Sequence, residues 1–266
     1  MDIAQYIKAG NLTEALKAVQ QQVRNCPAEA KYRVLLFQLQ VILGLWDKAR
    51  TQLDVLKDLD PDAQFMVQTY QQMLLCEGIR NDVFLAKRAP MVFGEPEPWI
   101  ALLIEAITRE VKGDFENADA MRAEALEQAP VTSGTIDNEP FEWIADADSR
   151  IGPILEVVVN GQYYWVPFYR LSAIQITAPE DLRDFVWLPA QFIWANGGEA
   201  FGFIPSRYPN SEDTDDSQIK LSRKTVWDEI SPKAYKGMGQ RILTSNMTDY
   251  PLLDIREIKL NPVAEI

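Results

Sequence analysis

The chain has 266 residues, enough for two ordinary domains, and 47% of them are hydrophobic, which is typical of a folded globular protein. A formal net charge of −13, without any basic run, argues against a nucleic-acid partner, because phosphate binding depends on clustered Lys and Arg. The sequence contains no histidine, which excludes Ser-His-Asp and Cys-His catalysis and every His-ligated metal site.

The N-terminal stretch MDIAQYIKAGNLTEALKA has neither the basic nor the apolar region of a secretory signal. No stretch approaches the roughly 18 apolar residues of a membrane span. Cys26 and Cys76 lie 50 residues apart and form no C-x-x-C motif, a pattern that favours free thiols in a reducing cytosol. We therefore expect a cytoplasmic protein that does not insert into a membrane.

Three blocks in the first half of the chain share one pattern of glycine, alanine and proline. They are GNLTEALKAVQQQVRNCP from Gly10, GLWDKARTQLDVLKDLDP from Gly44 and GDFENADAMRAEALEQAP from Gly113. In each block a proline follows the glycine by 17 positions and an alanine follows it by five, and the first two blocks are 34 residues apart. A turn glycine, a small contact residue and a helix-stopping proline suit antiparallel helix pairs. The spacing predicts tetratricopeptide-like helical repeats over residues 1–130.

A further unit beginning at Gly78 is degenerate, because Val83 replaces the alanine and the proline shifts to Pro96. We expect residues 63–87 to be mostly helical, RAPMVFGEPEP to be a structured interruption, and a helix to start near Trp99. The apolar residues of the second repeat helix are predicted to pack in the core. Stacked helix pairs would leave a small concave groove suited to a peptide or a helix.

The pattern changes from helical to β in the second half of the chain. Composition predicts a linker at residues 131–139 and a β-rich domain at 140–266. ILEVVVNGQYYWVPF surrounds Asn160-Gly161, the pair preferred in type I′ hairpins, and Asn196-Gly197 marks a second hairpin. LSAIQIT, GQRILTSN and YPLLDIREIKL are further predicted strands, and NSEDTDDSQ at 210–218 is predicted to be a solvated loop. The fold class predicted is therefore α+β, with helical repeats followed by a mostly antiparallel β-rich domain.

The segment EPFEWIADADSRIGP contains Asp146 and Asp148, whose spacing suggests three interpretations. A calcium loop starting at Asp146 would place Ile151 and Val157 where glycine and an acidic residue are needed, so that interpretation fails. A two-carboxylate hydrolase using Asp146 or Asp148, with Glu142 or Glu156 as the second carboxylate, stays open. The interpretation we favour is a turn in which both carboxylates accept backbone N–H groups and Arg150 pairs with one of them.

Longer blocks of the sequence resemble one bacterial family. These blocks are FGEPEPW, PFEWIADADSRIGPILE, NGQYYWVPF, DLRDFVWLPA and WANGGEAFGFIPSRYP. They closely resemble the ImpE/TagJ family of type VI secretion accessory proteins, over nearly the whole chain. The resemblance implies a cytoplasmic, non-enzymatic protein that binds the N-terminal helix of the small, TssB-like subunit of the contractile sheath. It implies no catalytic residue, metal or cofactor.

Two further expectations concern the partner. Trp99, Tyr32 and Phe37 are the candidate partner-binding residues, and Trp99 is the preferred anchor because tryptophan often dominates interface energy. We expect an apolar contact with an acidic rim, either in the repeat groove or where FGEPEPW meets the β domain. A general helical adaptor that binds peptide carboxylates is an alternative, but its candidate residues Lys31, Arg33 and Arg109 are scattered in the sequence.

Overall fold

The computed structural model describes residues 2–95 and 97–261 of the chain. Pro96, where the degenerate repeat was expected to end, lies outside the described residues. Helices fill the first half, and a nine-stranded sheet with two smaller sheets fills the second. The helices are α1 (Ile3–Lys8), α2 (Leu12–Asn25), α3 (Ala30–Ile42), α4 (Trp46–Leu59), α5 (Gln64–Phe84), α6 (Pro98–Val111), α7 (Phe115–Gln128) and the short α8 (Ser217–Lys220).

The three glycine-to-proline blocks each form one helix of 14 residues, α2, α4 and α7. Gly10, Gly44 and Gly113 adopt φ values of +75°, +69° and +77°, a left-handed conformation that glycine adopts without steric cost. The alanine of each block is fully buried, where it allows the paired helices to approach closely. The predicted repeat pattern is confirmed at these three helices.

The degenerate unit behaves differently from the other repeats. The structure forms one long helix of 21 residues, α5, which runs through Gly78 without turning. After it, Met91–Val92 forms a short strand, β1, that pairs in parallel with a strand of the main sheet. The predicted interruption therefore joins the helical half of the chain to the sheet.

The strands of the second half are mostly antiparallel, which confirms the predicted α+β class. The main sheet has the strand order β1-β6-β5-β9-β8-β7-β14-β2-β3, and a smaller sheet has the order β13-β12-β4. The strands after β1 are β2 (Gly134–Ile136), β3 (Glu139–Phe141), β4 (Ile144–Asp146), β5 (Ile154–Val159), β6 (Gln162–Pro167), β7 (Leu171–Ile176), β8 (Trp187–Trp194), β9 (Glu199–Pro205), β10 (Thr225–Ser231), β11 (Ala234–Gly239), β12 (Ile242–Ser245), β13 (Asp249–Pro251) and β14 (Glu257–Leu260).

Both Asn-Gly pairs form hairpin turns, but of different kinds. Asn160 and Gly161 have φ values of +51° and +71°, as the predicted type I′ turn between β5 and β6 requires. Between β8 and β9, the N–H of Gly197 donates to the carbonyl of Trp194, and only the glycine of that pair has a positive φ. This turn therefore belongs to a longer hairpin loop.

The structure differs from the sequence-based expectations in three places. Residues 131–139 were expected to be a linker, yet they contain β2, which pairs with β14 and turns through Asp137 and Asn138 into β3. In the predicted solvated loop at 210–218, Ser211 is fully buried and α8 begins at Ser217. The β10–β11 hairpin was not predicted, because Ser-Pro-Lys replaces the glycine-containing turns that mark hairpins.

The helical and β regions share one hydrophobic core. It extends from Leu12 of α2 to Trp187 of β8, with Phe37, Tyr70 and Trp165 packed between the helices and one face of the main sheet. A second core fills the opposite face, between the main sheet and the β13-β12-β4 sheet. The predicted domains at 1–130 and 140–266 therefore pack against each other through this shared core.

We expect this shared core to make unfolding cooperative across both regions. Thermal unfolding followed by far-ultraviolet circular dichroism, which is dominated by the helices, should coincide with unfolding followed by tryptophan fluorescence, to which the β region contributes five of the seven tryptophans. Two transitions with separate midpoints would show that the helical region and the sheet unfold independently.

Candidate functional site

The Asp146–Arg150 segment forms a tight corner at the end of β4. Asp146 Oδ1 accepts the N–H of Asp148 at 2.8 Å, and Asp148 Oδ1 accepts the N–H of Arg150 at 3.0 Å. The Arg150 guanidinium also donates to Asp148, with Nε at 2.9 Å and Nη2 at 2.6 Å. Both carboxylates thus bind backbone N–H groups, as in the turn interpretation.

Each aspartate has further partners outside the corner. Asp146 accepts a hydrogen bond from the hydroxyl of Tyr208 at 2.9 Å and forms an ion pair with Arg241. Asp148 Oδ2 accepts the N–H of Gly237 at 3.0 Å, which holds β11 against the corner. The side chains of both aspartates have 0% exposure.

The ion pairs continue from the corner into the helical region. Glu156, on β5, pairs with Arg241 through Oε2 and with Arg80 of α5 through both oxygens, at 2.7 Å to Oε1 and 3.1 Å to Oε2. The hydroxyl of Tyr163 donates to the same carboxylate at 2.5 Å. We call Arg80, Glu156, Arg241 and Asp146 the ionic seam, since this buried chain of charges joins α5 to the sheet and the sheet to the corner.

Arg207 makes a second connection between the two regions. Its guanidinium donates to the carbonyls of Ile42 at 2.9 Å and Val41 at 3.2 Å, at the end of α3. It also donates to the carbonyl of Lys220 at 2.9 Å, and its own carbonyl accepts from Arg80 at 2.9 Å. An arginine at a helix C-terminus satisfies carbonyls that lack intrahelical partners and complements the helix dipole.

The two carboxylates of the ionic seam have pKa values displaced in opposite directions. Burial alone would raise the pKa of Glu156, but the charges of Arg80 and Arg241 outweigh it and lower the pKa to about 2. Burial raises the pKa of Asp146 to about 6, against the opposing charge of Arg241. Glu156 is thus the carboxylate of the seam that stays ionised at neutral and mildly acidic pH.

This arrangement leaves Asp146 and Asp148 without the geometry of a hydrolytic pair. A catalytic carboxylate must reach substrate or water, whereas both side chains are enclosed and bonded to arginine and backbone groups. Among residues 2–95 and 97–261, no three Cys, Asp or Glu side chains gather into a group able to hold a metal ion.

The three predicted partner-binding residues differ in exposure to solvent: two are buried and one is partly exposed. Trp99 is only 2% exposed, and its indole N–H donates to Glu97 at 2.9 Å. Phe37 is fully buried, 5.5 Å from the ring of Tyr70. Both are core residues and not partner-binding residues, because they lie on the apolar side of a helix, where their rings pack in the interior. Tyr32 is partly exposed beside Lys31 and remains a predicted contact residue.

A groove of about 640 Å³ lies between the first half of α5 and an uncovered strip of the main sheet. Its α5 wall carries residues on one face of the helix, and its floor carries cross-strand neighbours of β7, β8 and β9. We call it the sheet groove; its principal residues are Phe65, Thr69, Met73, Gln191, Phe201 and Phe203.

The sheet groove has two highly exposed phenylalanines, which is unusual for a protein surface. Phe65 is 83% exposed and Phe201 is 76% exposed, although large apolar side chains at a surface lose the free energy of burial. Phe201 shares a sheet face with Phe203, whose ring lies 5.9 Å from Tyr70 in the core. Sequence alternation in FGFIP predicts that both rings point to one face, but it cannot show where the helices stop covering that face.

The fold is that of a tetratricopeptide-like helical repeat protein with an antiparallel β region packed on it. A family profile described as ImpE protein matches residues 138–259. The chain is 42% identical to the type VI secretion system accessory component TagJ of Pseudomonas aeruginosa, across 96% of this chain and 90% of that protein. The crystal structure of protein VPA1032 from Vibrio parahaemolyticus has the same fold, with a TM-score of 0.89 over 99% of both chains at 23% identity. The chain belongs to the ImpE/TagJ family, as its sequence blocks predicted.

We expect Asp148→Ala to lower the free energy of unfolding by about 3 kcal/mol or more, because it leaves the buried Arg150 without its carboxylate. Chemical denaturation measures the loss, and Asp215→Ala, at an exposed aspartate, is the matched control. Chelators, Mg²⁺ or Ca²⁺ should leave the melting temperature of the wild type unchanged. Wild-type stability in Asp148→Ala, or a clear rise in melting temperature with either cation, would contradict the turn interpretation.

Glu156→Gln should lower the free energy of unfolding by about 3–5 kcal/mol at pH 7, because two buried arginines lose their shared charge. The folded pKa of Glu156, about 2, lies below its ordinary 4.5, so its stabilisation is complete above pH 4.5 and is lost as the pH falls towards 2. The difference between wild type and variant should therefore shrink on acidification, in denaturant titrations at several pH values. Glu139→Gln, at an exposed glutamate, should show neither effect; a constant difference for Glu156→Gln would contradict the assignment.

Proposed function

We propose that this protein acts in a bacterial type VI secretion system as a non-enzymatic adaptor in the cytoplasm, binding the N-terminal helix of the small sheath subunit. An accessory role in that system follows from membership of the family and from the 42% identity to an accessory component. The observation that carries the helix-binding step is the sheet groove. No helix within the described residues is both long enough and apolar enough to cross a membrane.

The shape and chemistry of the sheet groove fit one face of an amphipathic helix. A helix with its side chains is about 10 Å across and presents apolar residues at positions i, i+3, i+4 and i+7. Phe65 and Phe201 stand at the groove and are positioned to contact such a face. The polar amides of Gln72, Gln175 and Gln191 can meet its margins.

The walls of the sheet groove are held in place by contacts beneath them. Arg80 fixes α5 to β5 through Glu156, and the thiol of Cys76 donates to the carbonyl of Gly161 at 3.3 Å. Because α5 forms one wall and the sheet forms the floor, these contacts set the width of the groove. A preformed groove binds with a smaller loss of conformational entropy than one that must be ordered.

The sequence predicts an acidic rim around the partner, whereas the sheet groove proposed here has an uncharged lining. The formal charge of −13 would therefore act at longer range, by speeding the approach of a helix with a basic polar face. Salt should then slow association more than it speeds dissociation.

The test is fluorescence anisotropy of a labelled peptide carrying the N-terminal helix of the small sheath subunit. Phe65→Ser and Phe201→Ser should each weaken binding by about 2 kcal/mol, the loss typical of a dominant interface residue. Met247→Ser is the matched control, because Met247 is 64% exposed at a site outside the groove. Tyr32→Ser tests the repeat surface suggested by the sequence.

Each outcome bears on a separate part of the proposal. Failure of the wild type to bind at high micromolar peptide would contradict the sheath partner. Full binding by folded Phe65→Ser and Phe201→Ser variants, with loss in Tyr32→Ser, would move the site to the repeats. Equal losses in Met247→Ser would show that the effect of the phenylalanines is not local.

A further inference from the structure

A second groove, of about 320 Å³, lies among α2, α3 and α4 on the repeat region. It shares no lining residue with the sheet groove. Arg24 of α2, Arg33 of α3 and Lys48 of α4 line it, together with glutamines and two apolar residues, Val23 and Leu36. We call it the basic groove, because its lining contains three cations and no carboxylate.

Three cations without a carboxylate are exceptional in this protein. Its formal charge is −13, and the buried arginines Arg80, Arg122, Arg150 and Arg241 all pair with acidic side chains. Within the described part of the chain, Arg24, Arg33 and Lys48 form no ion pair. The basic groove is therefore a local positive field on an acidic molecule.

Two buried polar groups of the basic groove lack partners within residues 2–95 and 97–261. Gln40 is only 3% exposed, and its Oε1 accepts no hydrogen bond. Nε of Arg33 is also buried without an acceptor, although Nη1 donates to Gln52 at 3.3 Å. Leaving such groups unsatisfied is unfavourable, which is why buried polar side chains nearly always have partners. A ligand in the groove would supply both an acceptor and a donor.

We propose that the basic groove is a second binding site, which takes an acidic peptide segment of a partner protein. Arg33 and Lys48 bind a carboxylate of the segment, and Arg24 adds to the field at the mouth of the groove. Gln40 Oε1 accepts a backbone N–H of the peptide. A peptide supplies that donor together with the anion, whereas a fully ionised phosphate supplies only acceptors.

The experiment uses the full chain and a fluorescent ten-residue Gly-Ser peptide that carries two glutamates, with a two-glutamine peptide as its neutral match. Saturable binding of the glutamate peptide is expected below about 1 mM, and it should weaken as salt rises. Arg33→Gln combined with Lys48→Gln should weaken it about tenfold or more. Lys57→Gln combined with Lys112→Gln removes the same charge from exposed positions outside the groove and should have little effect.

Gln40→Leu separates a binding role from a structural one. If Gln40 serves a ligand, this near-isosteric change should weaken the glutamate peptide about fivefold while leaving the melting temperature equal or higher, since it removes an unsatisfied buried amide. A variant that melts earlier and binds normally would assign Gln40 to the core and overturn the proposed contact.

Three other results would overturn the site itself. They are no saturable binding of the glutamate peptide by the wild type, equal binding of the two peptides, and equal losses in the groove and control variants. Inorganic phosphate that displaces the peptide at equal concentration would mark a general anion site instead of a peptide site. None of these results depends on the sheath helix or on the sheet groove.

Discussion

The position of the helical region relative to the sheet depends on Glu156. It is the buried carboxylate on β5 that holds Arg80 of the helical region and Arg241 of the sheet at once. Burying the four charged groups of the seam costs free energy of desolvation that their attraction only partly offsets, so the seam need not add net stability. The seam instead fixes the position of α5 over the sheet. If α5 moved, Arg80 and Glu156 would separate and leave an unpaired charge in the core, which is strongly unfavourable.

Most of the helical region could be predicted because its signals are local. A glycine at positive φ, a buried alanine five residues later and a terminal proline each act within one helix, and α2, α4 and α7 obey them. The strand β1 and the pair β2–β3 could not be predicted in this way. They are two or three residues long and exist because distant strands, β6 and β14, offer them hydrogen bonds.

The candidate sites also have local features that the sequence predicts and long-range contacts that it does not. The Asp146–Arg150 corner could be predicted in outline, since aspartates bonding to N–H groups two residues ahead are a local property. Its bonds to Tyr208, Gly237 and Arg241 could not, because sheet topology brings those residues together over 60 or more positions. For Trp99 the prediction from residue type is wrong. Tryptophan is common at interfaces, but whether its ring reaches the surface depends on how the helix packs, and here the ring is buried.

The distribution of charge gives the surface its character. The interior arginines are matched by interior carboxylates and carbonyls, so the excess of 39 acidic over 26 basic residues lies almost wholly outside. On such a surface the linings of the sheet groove and of the basic groove contain no carboxylate. They are also formed differently, one by packing between a helix and a sheet, the other by neighbouring repeats alone. A change that loosens the ionic seam would therefore alter the width of the sheet groove, because α5 forms its wall and carries Arg80. It would leave the basic groove intact, since α2, α3 and α4 carry no residue of the seam.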